Sequence, residues 1–370
     1  MEKKSPGKPV DLATPLRPLI FKGRGSASNP TGRFEHHQHA DIDDGWGSLD
    51  ADPAPLRTEV IVDDTRSIIN WVRSPDIPFD RSINPYRGCE HGCTYCFARP
   101  SHTYLGYSAG LDFESRLLVK PNAAALLRQE LAKPGYLCQP MALGTNTDPY
   151  QPIERQHQIT RQVLEVLAEH RHPLSIVTKS SLVERDIDLL APMAQAGLAK
   201  VFVSITTFDR DVSRLLEPRA AAPQRRLETI RRLHDAGIPV GVMTAPIIPV
   251  LTDSEMETIL QQAADAGAES AGYVLLRLPL EVAPLFEEWL RLHYPLKAEH
   301  VMSVVRQSRG GKANDPRFFN RMRGQGLFAD MIAQRFRLAT ARLGLNRQRR
   351  ALDTTRFNPP AVVKPQMELF

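Results

Sequence analysis

The sequence predicts an α/β fold arranged as an open, partial (β/α)6 barrel, with an irregular N-terminal extension and a basic, helical C-terminal segment. Three observations carry this. β-rich runs alternate with helical patterns six times within about 215 residues, and such alternation marks a parallel sheet covered by helices. Three of the helical patterns end in the same Ala-Gly step, which suits a left-handed cap turning a helix into the next strand. Six units are too few to close an eight-fold barrel, so the sheet stays open.

Taken in order, residues 1–57 are rich in Pro, Gly, Asp, Ser and His and show no sustained apolar period, so they read as irregular. The tract His36-His37-Gln38-His39 lies within them and reads as a polar loop rather than a metal site. The core spans 58–295. Its strands are expected at Ser82–Tyr86, Met141–Thr145, Leu174–Thr178, Lys200–Thr206, Pro239–Pro246 and Ser270–Leu278. Its helices are expected at Pro121–Lys133, Glu154–Arg171, Arg185–Ala196, Pro223–Ala236, Asp253–Ala266 and Leu280–His293. Pro121 and Pro223 stand where a first-turn proline belongs, Thr252 and Glu255 have the spacing of a capping box, and the cap glycines are Gly197, Gly237 and Gly267. Residues 296–357 form the basic helical extension, and 358–370, with three prolines, a tail.

Composition narrows the class. Of 370 residues, 42% are hydrophobic and 24% charged, ordinary values for a globular enzyme with a sizeable core. No apolar run approaches the roughly 18 residues that span a bilayer, so no membrane partner is expected. The start Met1-Glu2-Lys3-Lys4-Ser5 has no apolar stretch behind it, which argues against a secretory signal. Four cysteines cannot build a disulfide scaffold. Three of them fall within eight residues, which points to metal in a reducing compartment and a cytoplasmic location. Net charge is +5, yet residues 306–350 hold twelve Lys/Arg against two Asp/Glu, leaving the rest of the chain negative. That asymmetry admits a nucleic-acid or other polyanion partner. A solvated helix face with a basic tail explains it equally, and Phe318-Phe319 with the nearby glycines would also suit a lid over the barrel mouth.

The chemistry-bearing segment is Asn84-Pro-Tyr-Arg-Gly-Cys89-Glu-His-Gly-Cys93-Thr-Tyr-Cys96-Phe97. Thiolates spaced x3 and x2 on one loop can take three corners of a four-iron cubane, leaving one iron open to a small molecule. A structural zinc site wants four closed ligands, and the fourth would have to be His91 or the distant Cys138. In an open α/β sheet this chemistry belongs at the C-terminal ends of the strands, and the loop follows the first one.

The spacing, with an aromatic residue before the last cysteine, resembles the radical SAM superfamily, whose partial barrel the six units match. Leu143-Gly-Thr145-Asn-Thr147-Asp148, Val177-Thr-Lys179, Ser204-Ile205, Glu217-Pro218 and Ala245-Pro246-Ile247 follow one another much as in its spore photoproduct lyase-like group, over about Ser82 to Pro249. The resemblance implies a 4Fe–4S cluster on Cys89, Cys93 and Cys96, and contacts to S-adenosylmethionine (SAM) from Thr147, Lys179 and Ser204. Thr147 can hydrogen-bond the methionine or ribose end of SAM, and Lys179 can pair with a carboxylate or orient the ribose. Tyr95 and Phe97 offer aromatic or backbone contact to adenine.

The same resemblance implies reductive cleavage of SAM to a 5′-deoxyadenosyl radical that abstracts hydrogen from a substrate, fed by a low-potential donor of the flavodoxin or ferredoxin type. Two other classes stay open: a different radical SAM reaction such as methylation, and a non-catalytic zinc or cluster protein binding nucleic acid through its basic segment. Within the lyase-like reading, two hydrogen-transfer groups are missing. The cysteine that in lyases lies three residues before the aspartate is here Thr145, and the tyrosine after the third cluster cysteine is here Phe97. A hydroxyl cannot replace a thiol as hydrogen donor, because its O–H bond is far stronger. The expectation is SAM cleavage without repair of spore photoproduct.

Overall fold

All six β-rich runs form strands of one sheet in the computed structural model, which describes residues 20–35, 55–348 and 350–360; the His36–His39 tract and residues 361–370 of the tail lie outside the described residues. The strands in chain order are β1 (Glu59–Val62), β2 (Ile69–Trp71), β3 (Arg81–Ile83), β4 (Tyr86–Arg87), β5 (Arg116–Val119), β6 (Met141–Leu143), β7 (Leu174–Thr178), β8 (Ala199–Ser204), β9 (Val240–Ile247) and β10 (Ser270–Leu275). The main sheet has the order β10-β9-β8-β7-β6-β3-β2. Its six expected strands pair in parallel, and β2 adds an antiparallel edge to β3. β10 and β2 are its two edges, so the barrel is open as expected.

The first strand is shorter than Ser82–Tyr86, for a reason written in the sequence. Pro85 has no N–H for a ladder, and Asn84 turns its side chain to accept from the backbone N–H groups of Asn146 (3.2 Å) and Thr147 (3.4 Å). The chain then enters a second sheet, β1-β5-β4, which sequence periodicity did not reveal. Those strands are two to four residues long, below the length at which alternation can be read.

The helices are α1 (Asp112–Ser115), α2 (Ala123–Leu131), α3 (Glu154–His157), α4 (Ile159–Glu169), α5 (Ile187–Gln195), α6 (Arg210–Leu216), α7 (Pro223–Asp235), α8 (Met256–Asp265), α9 (Val282–His293), α10 (Pro295–Gln307), α11 (Asn320–Arg323) and α12 (Leu327–Leu343). Gly197, Gly237 and Gly267 all have positive φ, and each stops its helix as expected. The following N–H closes the cap in each case, as Ile238 does on the carbonyl of Leu233.

Three details correct the expectation. The run Glu154–Arg171 is two helices, because the Glu154 carboxylate accepts from the N–H groups of Thr160 (2.9 Å) and Arg161 (3.2 Å) and starts α4 afresh. Thr252 and Glu255 form no capping box: Thr252 Oγ1 accepts from Ile248 N–H (2.9 Å), and Glu255 accepts from Phe208 N–H (2.7 Å). Pro121 lies two residues before α2, whose N-cap is Asn122. Helix α6 was missed, although Asp209 caps it by accepting from Asp211 and Val212 N–H.

Apolar side chains of the parallel strands pack against α2, α4, α5, α7 and α8 in one core. A second core joins Tyr95 and Leu276 to Phe286 and Trp289 of α9 and Met302 of α10, under the mouth of the barrel. The described part of the N-terminal segment packs against the core. Residues 24–28 are buried, and Gly25 and Ser26 donate to the buried Glu114. On the far edge, the Asn346 side chain pairs with both backbone groups of Ala271 (3.0 Å each), blunting β10.

Candidate active site

The cysteine loop starts where β3 ends, at the C-terminal side of the parallel strands, as the strand-end rule requires. Arg99, fully buried, holds it from beneath. Its guanidinium donates to the carbonyls of Cys93 (2.9 Å), Gly92 (3.2 Å), Ala109 (3.0 Å) and Gly110 (2.8 Å) and to the Glu114 carboxylate (2.5 Å). Gln151 spans the loop, donating to Gly88 O (3.2 Å) and accepting from Glu90 N–H (2.9 Å). Gly92 has φ +66, and a Cβ there would sit 2.6 Å from Glu114 Oε2; a Cβ on the facing Gly25 would sit 1.9 Å from Gly92 O. The loop is therefore shaped by close backbone approach from both sides.

Cys89 and Cys93 are buried and Cys96 half-buried. Burial pushes the Cys89 thiol well above its usual range, with Asp148 and the two neighbouring thiols adding to the effect. Burial likewise takes Cys93 up to about 12 against the pull of Lys179. A bound cation reverses this, because coordination strips the proton from a thiol. The backbone N–H of Asp148 faces the Cys89 sulfur. Among the described residues no three His, Cys, Asp or Glu side chains converge tightly enough for a single ion. His91 pairs instead with Asp148 (Nδ1–Oδ2 3.4 Å), and Cys138 lies ahead of β6, at the opposite end of the strand from the loop. A closed zinc site thus lacks its fourth ligand. Three thiols on one clamped loop fit an iron–sulfur cluster that leaves one iron open.

Cys93, Tyr95, Cys96 and Phe97 line one wall of a cavity of about 240 Å³, and Lys179, Ser204 and Arg277 line it as well. Of the residues expected to meet SAM, Tyr95, Phe97, Lys179 and Ser204 therefore share one space. Thr147 does not join them. It is buried beside the loop, its hydroxyl donating to Tyr86 O (3.1 Å). The Lys179 ammonium stands 5.8 Å from the Tyr95 ring centre, and its backbone N–H donates to Asp148 (2.8 Å). Gly144, at the end of β6, has φ +84; a Cβ there would lie 1.9 Å from Val177 O, so only glycine lets β6 and β7 meet at this wall.

Sequence reasoning missed the support of these groups. Glu217 accepts from Tyr95 Oη and from Thr206 Oγ1 (2.6 Å), and pairs with the buried Arg226 (2.5 Å). Arg226 also donates to Ser204 O (3.0 Å), fixing the end of β8. Burial alone would raise Glu217, but Arg226 and Lys179 outweigh it and bring it down to about 2. Asp148 is likewise raised by burial, yet His91 and the hydrogen bonds from Lys179 and Thr178 bring it to about 2. Both were visible as residues of the recurring motifs, without a role. Arg277 had no signal at all.

The C-terminal segment reaches the cavity. Arg309, fully buried, donates to Leu275 O (2.5 Å) and Leu276 O (2.9 Å) at the end of β10, and to Asn320 O (2.8 Å) and Arg321 O (3.0 Å) of α11. Arg321 pairs with Asp76 (2.5 Å) in the β2–β3 connection, and Met322 lines the cavity. Helix α11 thus bridges the two edges of the open barrel. Much of the positive charge of 306–350 is already paired, Arg306 with Glu287, Arg317 with Asp315, Arg335 with Glu257 and Arg350 with Glu269.

A family model for the Radical SAM superfamily matches residues 83–263, which span the cysteine loop and the strands around this cavity. An uncharacterized protein of Mycobacterium tuberculosis (strain ATCC 25618 / H37Rv) is 41% identical over 233 residues, 62% of this chain and 68% of that protein. The chain belongs to the radical SAM superfamily. By that membership it is an enzyme, and the superfamily implies SAM, an iron–sulfur cluster and a reductant. A radical SAM Nα-GlyT isomerase of Pseudomonas phage M6 is 28% identical over 192 residues, 50% of this chain and 36% of that protein. Among solved structures, spore photoproduct lyase complexed with dinucleoside spore photoproduct aligns at 17% identity and a TM-score of 0.44, over 64% of this chain; the chain spans 66% of that lyase. Among the described residues, no helix of this radical SAM chain is long and apolar enough to cross a membrane.

Proposed function

We propose that Cys89, Cys93 and Cys96 hold a 4Fe–4S cluster whose open iron binds SAM, and that the chain uses it to abstract hydrogen from a substrate held under α11. The observation that carries this is the shared cavity: cluster thiols, Lys179 and Ser204 line one space at the C-terminal ends of parallel strands. When bound, the cluster and SAM supply the 5′-deoxyadenosyl radical. The chain's own residues do the rest. Lys179, held by Asp148 and faced by Glu217, offers a cation to the SAM carboxylate or ribose. Ser204 offers a hydroxyl, and Tyr95 and Phe97 offer faces for adenine. Thr147 serves at one remove by tying the loop to Tyr86. Met322 and Leu276 help exclude water. A flavodoxin or ferredoxin type protein would deliver the electron.

Anaerobic reconstitution tests this: about four irons and matching sulfide per chain are expected, with slow release of 5′-deoxyadenosine on reduction. One zinc and no sulfide would overturn it. Lys179→Ala should weaken SAM binding while keeping the iron.

The substrate is proposed to differ from spore photoproduct. Thr145 stands on the loop after β6 without a thiol, Cys138 lies before that strand, and Phe97 has no phenolic hydrogen to relay. Multiple-turnover repair of the thymine lesion by the purified protein would sink this part of the reading. The C-terminal segment is proposed as a lid rather than a nucleic-acid surface, since Arg309 and Arg321 tie α11 across the two edges of the sheet and Met322 lines the cavity.

A further inference from the structure

Three arginines meet where β10 ends, and two of them are fully committed. Arg309 spends its donors on four carbonyls, and Arg321 is forked onto Asp76 while also donating to Ser74 (2.8 Å). The third, Arg277, lies two residues beyond β10 and lines the cavity beside Met322. Its guanidinium stacks on the Phe97 ring at 4.2 Å, and among the described residues no oxygen accepts a hydrogen bond from it. The carboxylate nearest in charge, Asp76, is already taken by Arg321.

Lys179 is in a different position. It sits among Glu217, Asp148 and the Cys93 thiol, so its charge is matched within the protein. It stands at the end of β7, three strands away from β10, about 14 Å along the sheet at the usual strand spacing. Both cations adjoin the cysteine loop, Lys179 with its charge matched by Glu217 and Asp148 and Arg277 against Phe97 with its planar fork unspent. A half-buried fork that lines a cavity without a protein partner matches a carboxylate or phosphate that accepts two parallel hydrogen bonds.

We infer that Arg277 is the anion receptor of the substrate: the molecule that enters under α11 carries a carboxylate or phosphate, held by the Arg277 fork while its body lies against Val274, Leu276 and Met322. This rests on the radical SAM reading of the cavity. The oxyanion chemistry has a second source, the carboxylate of SAM itself, and the test separates the two.

Full-length protein, reconstituted anaerobically and saturated with SAM, is titrated calorimetrically with phenyl phosphate and with benzyl alcohol as its neutral counterpart. Phenyl phosphate should bind at least tenfold tighter, Arg277→Gln should abolish that preference, and Arg277→Lys should keep part of it. Both variants should still bind SAM, and any loss of SAM affinity should be much smaller than the loss of preference for phenyl phosphate. A second measurement needs no variant: phenylglyoxal should modify Arg277, read by mass spectrometry, and phenyl phosphate should protect it even with SAM bound. The inference falls if wild-type protein shows no preference, if Arg277→Gln keeps it, or if SAM alone protects Arg277 and displaces phenyl phosphate. Failure of the underlying reading would show separately, as absence of iron, sulfide and SAM binding in the wild-type chain.

Discussion

The cysteine loop and the segment from 309 to 326 line the same cavity, yet they are held in opposite ways. The loop is fixed from several directions at once, by buried Arg99, by Gln151, by the N-terminal strap at Gly25 and by the Tyr95–Glu217 contact. The C-terminal segment is tied to β10 by Arg309, whose guanidinium also holds the α11 carbonyls of Asn320 and Arg321, and to the β2–β3 connection by Arg321 and Phe319 N–H on Asp76 and Ser74, and it leaves Phe318 and Phe319 exposed. The difference follows the work each does. Under the proposed function, a cofactor would have to find its ligands in one geometry, whereas a substrate would have to pass the other wall to enter and leave.

The comparison can be broken most completely at the cysteines. Cys89→Ala, Cys93→Ala and Cys96→Ala should each abolish the cluster, because three ligands leave no spare. Cys138→Ala, ahead of β6, should retain it in full. Iron and sulfide analysis decides; normal iron in all three loop variants would end the cluster assignment.

The next largest effect should come from the support beneath the loop. Arg99→Met keeps the volume but leaves Glu114 as a buried charge without its guanidinium, along with four carbonyls that lose a donor. Breaking one side of a buried pair costs about 3–5 kcal/mol. Gly25 and Ser26 still donate to Glu114, so the loss should sit toward the lower end. Urea unfolding of the iron-free chain measures it. A variant as stable as wild type would show that the loop is shaped by its metal rather than by Arg99.

How much of this was legible beforehand divides along the same line. The six parallel strands and the glycine caps could be read because local pattern dictates them: apolar runs of strand length, then Ala-Gly at a left-handed φ. The cysteine loop was legible because its three thiols fall within eight residues, and the fold sets that loop at the strand ends. The partners of Tyr95 and Asp148 were not, because they are joined across distances of more than a hundred or about thirty residues by the fold alone. Nothing local marks Arg277, a single arginine in an apolar stretch after β10, as a binding residue. Its meaning comes from the absence of a partner, which only three-dimensional neighbours can reveal. The basic stretch 306–350 was legible only as charge, with its partners hidden in the same way. Its charge is real, but much of it is answered by carboxylates drawn from Asp76 to Glu287.

The smallest effect, and the one that sharpens the contrast most, belongs to Asp76→Asn. The Asp76 carboxylate receives Arg321 at both oxygens and also the N–H of Phe319 (3.1 Å). The amide keeps one acceptor and similar shape but removes the negative charge, so Arg321 faces Arg277 with no counterion between them. Like charges at such range repel even through partly hydrated protein. Arg309 is untouched and continues to hold both the start of the segment and the α11 carbonyls to β10, so the change should be local opening rather than unfolding. Amide exchange between 310 and 326 should quicken several-fold, while exchange in β7, β8 and the cysteine loop stays as in wild type. Added salt should narrow the gap between variant and wild type, since it screens both the lost attraction and the new repulsion. Unchanged exchange across 310–326 would mean that the Arg309 carbonyl contacts alone hold the lid, and that both walls of the cavity are equally fixed.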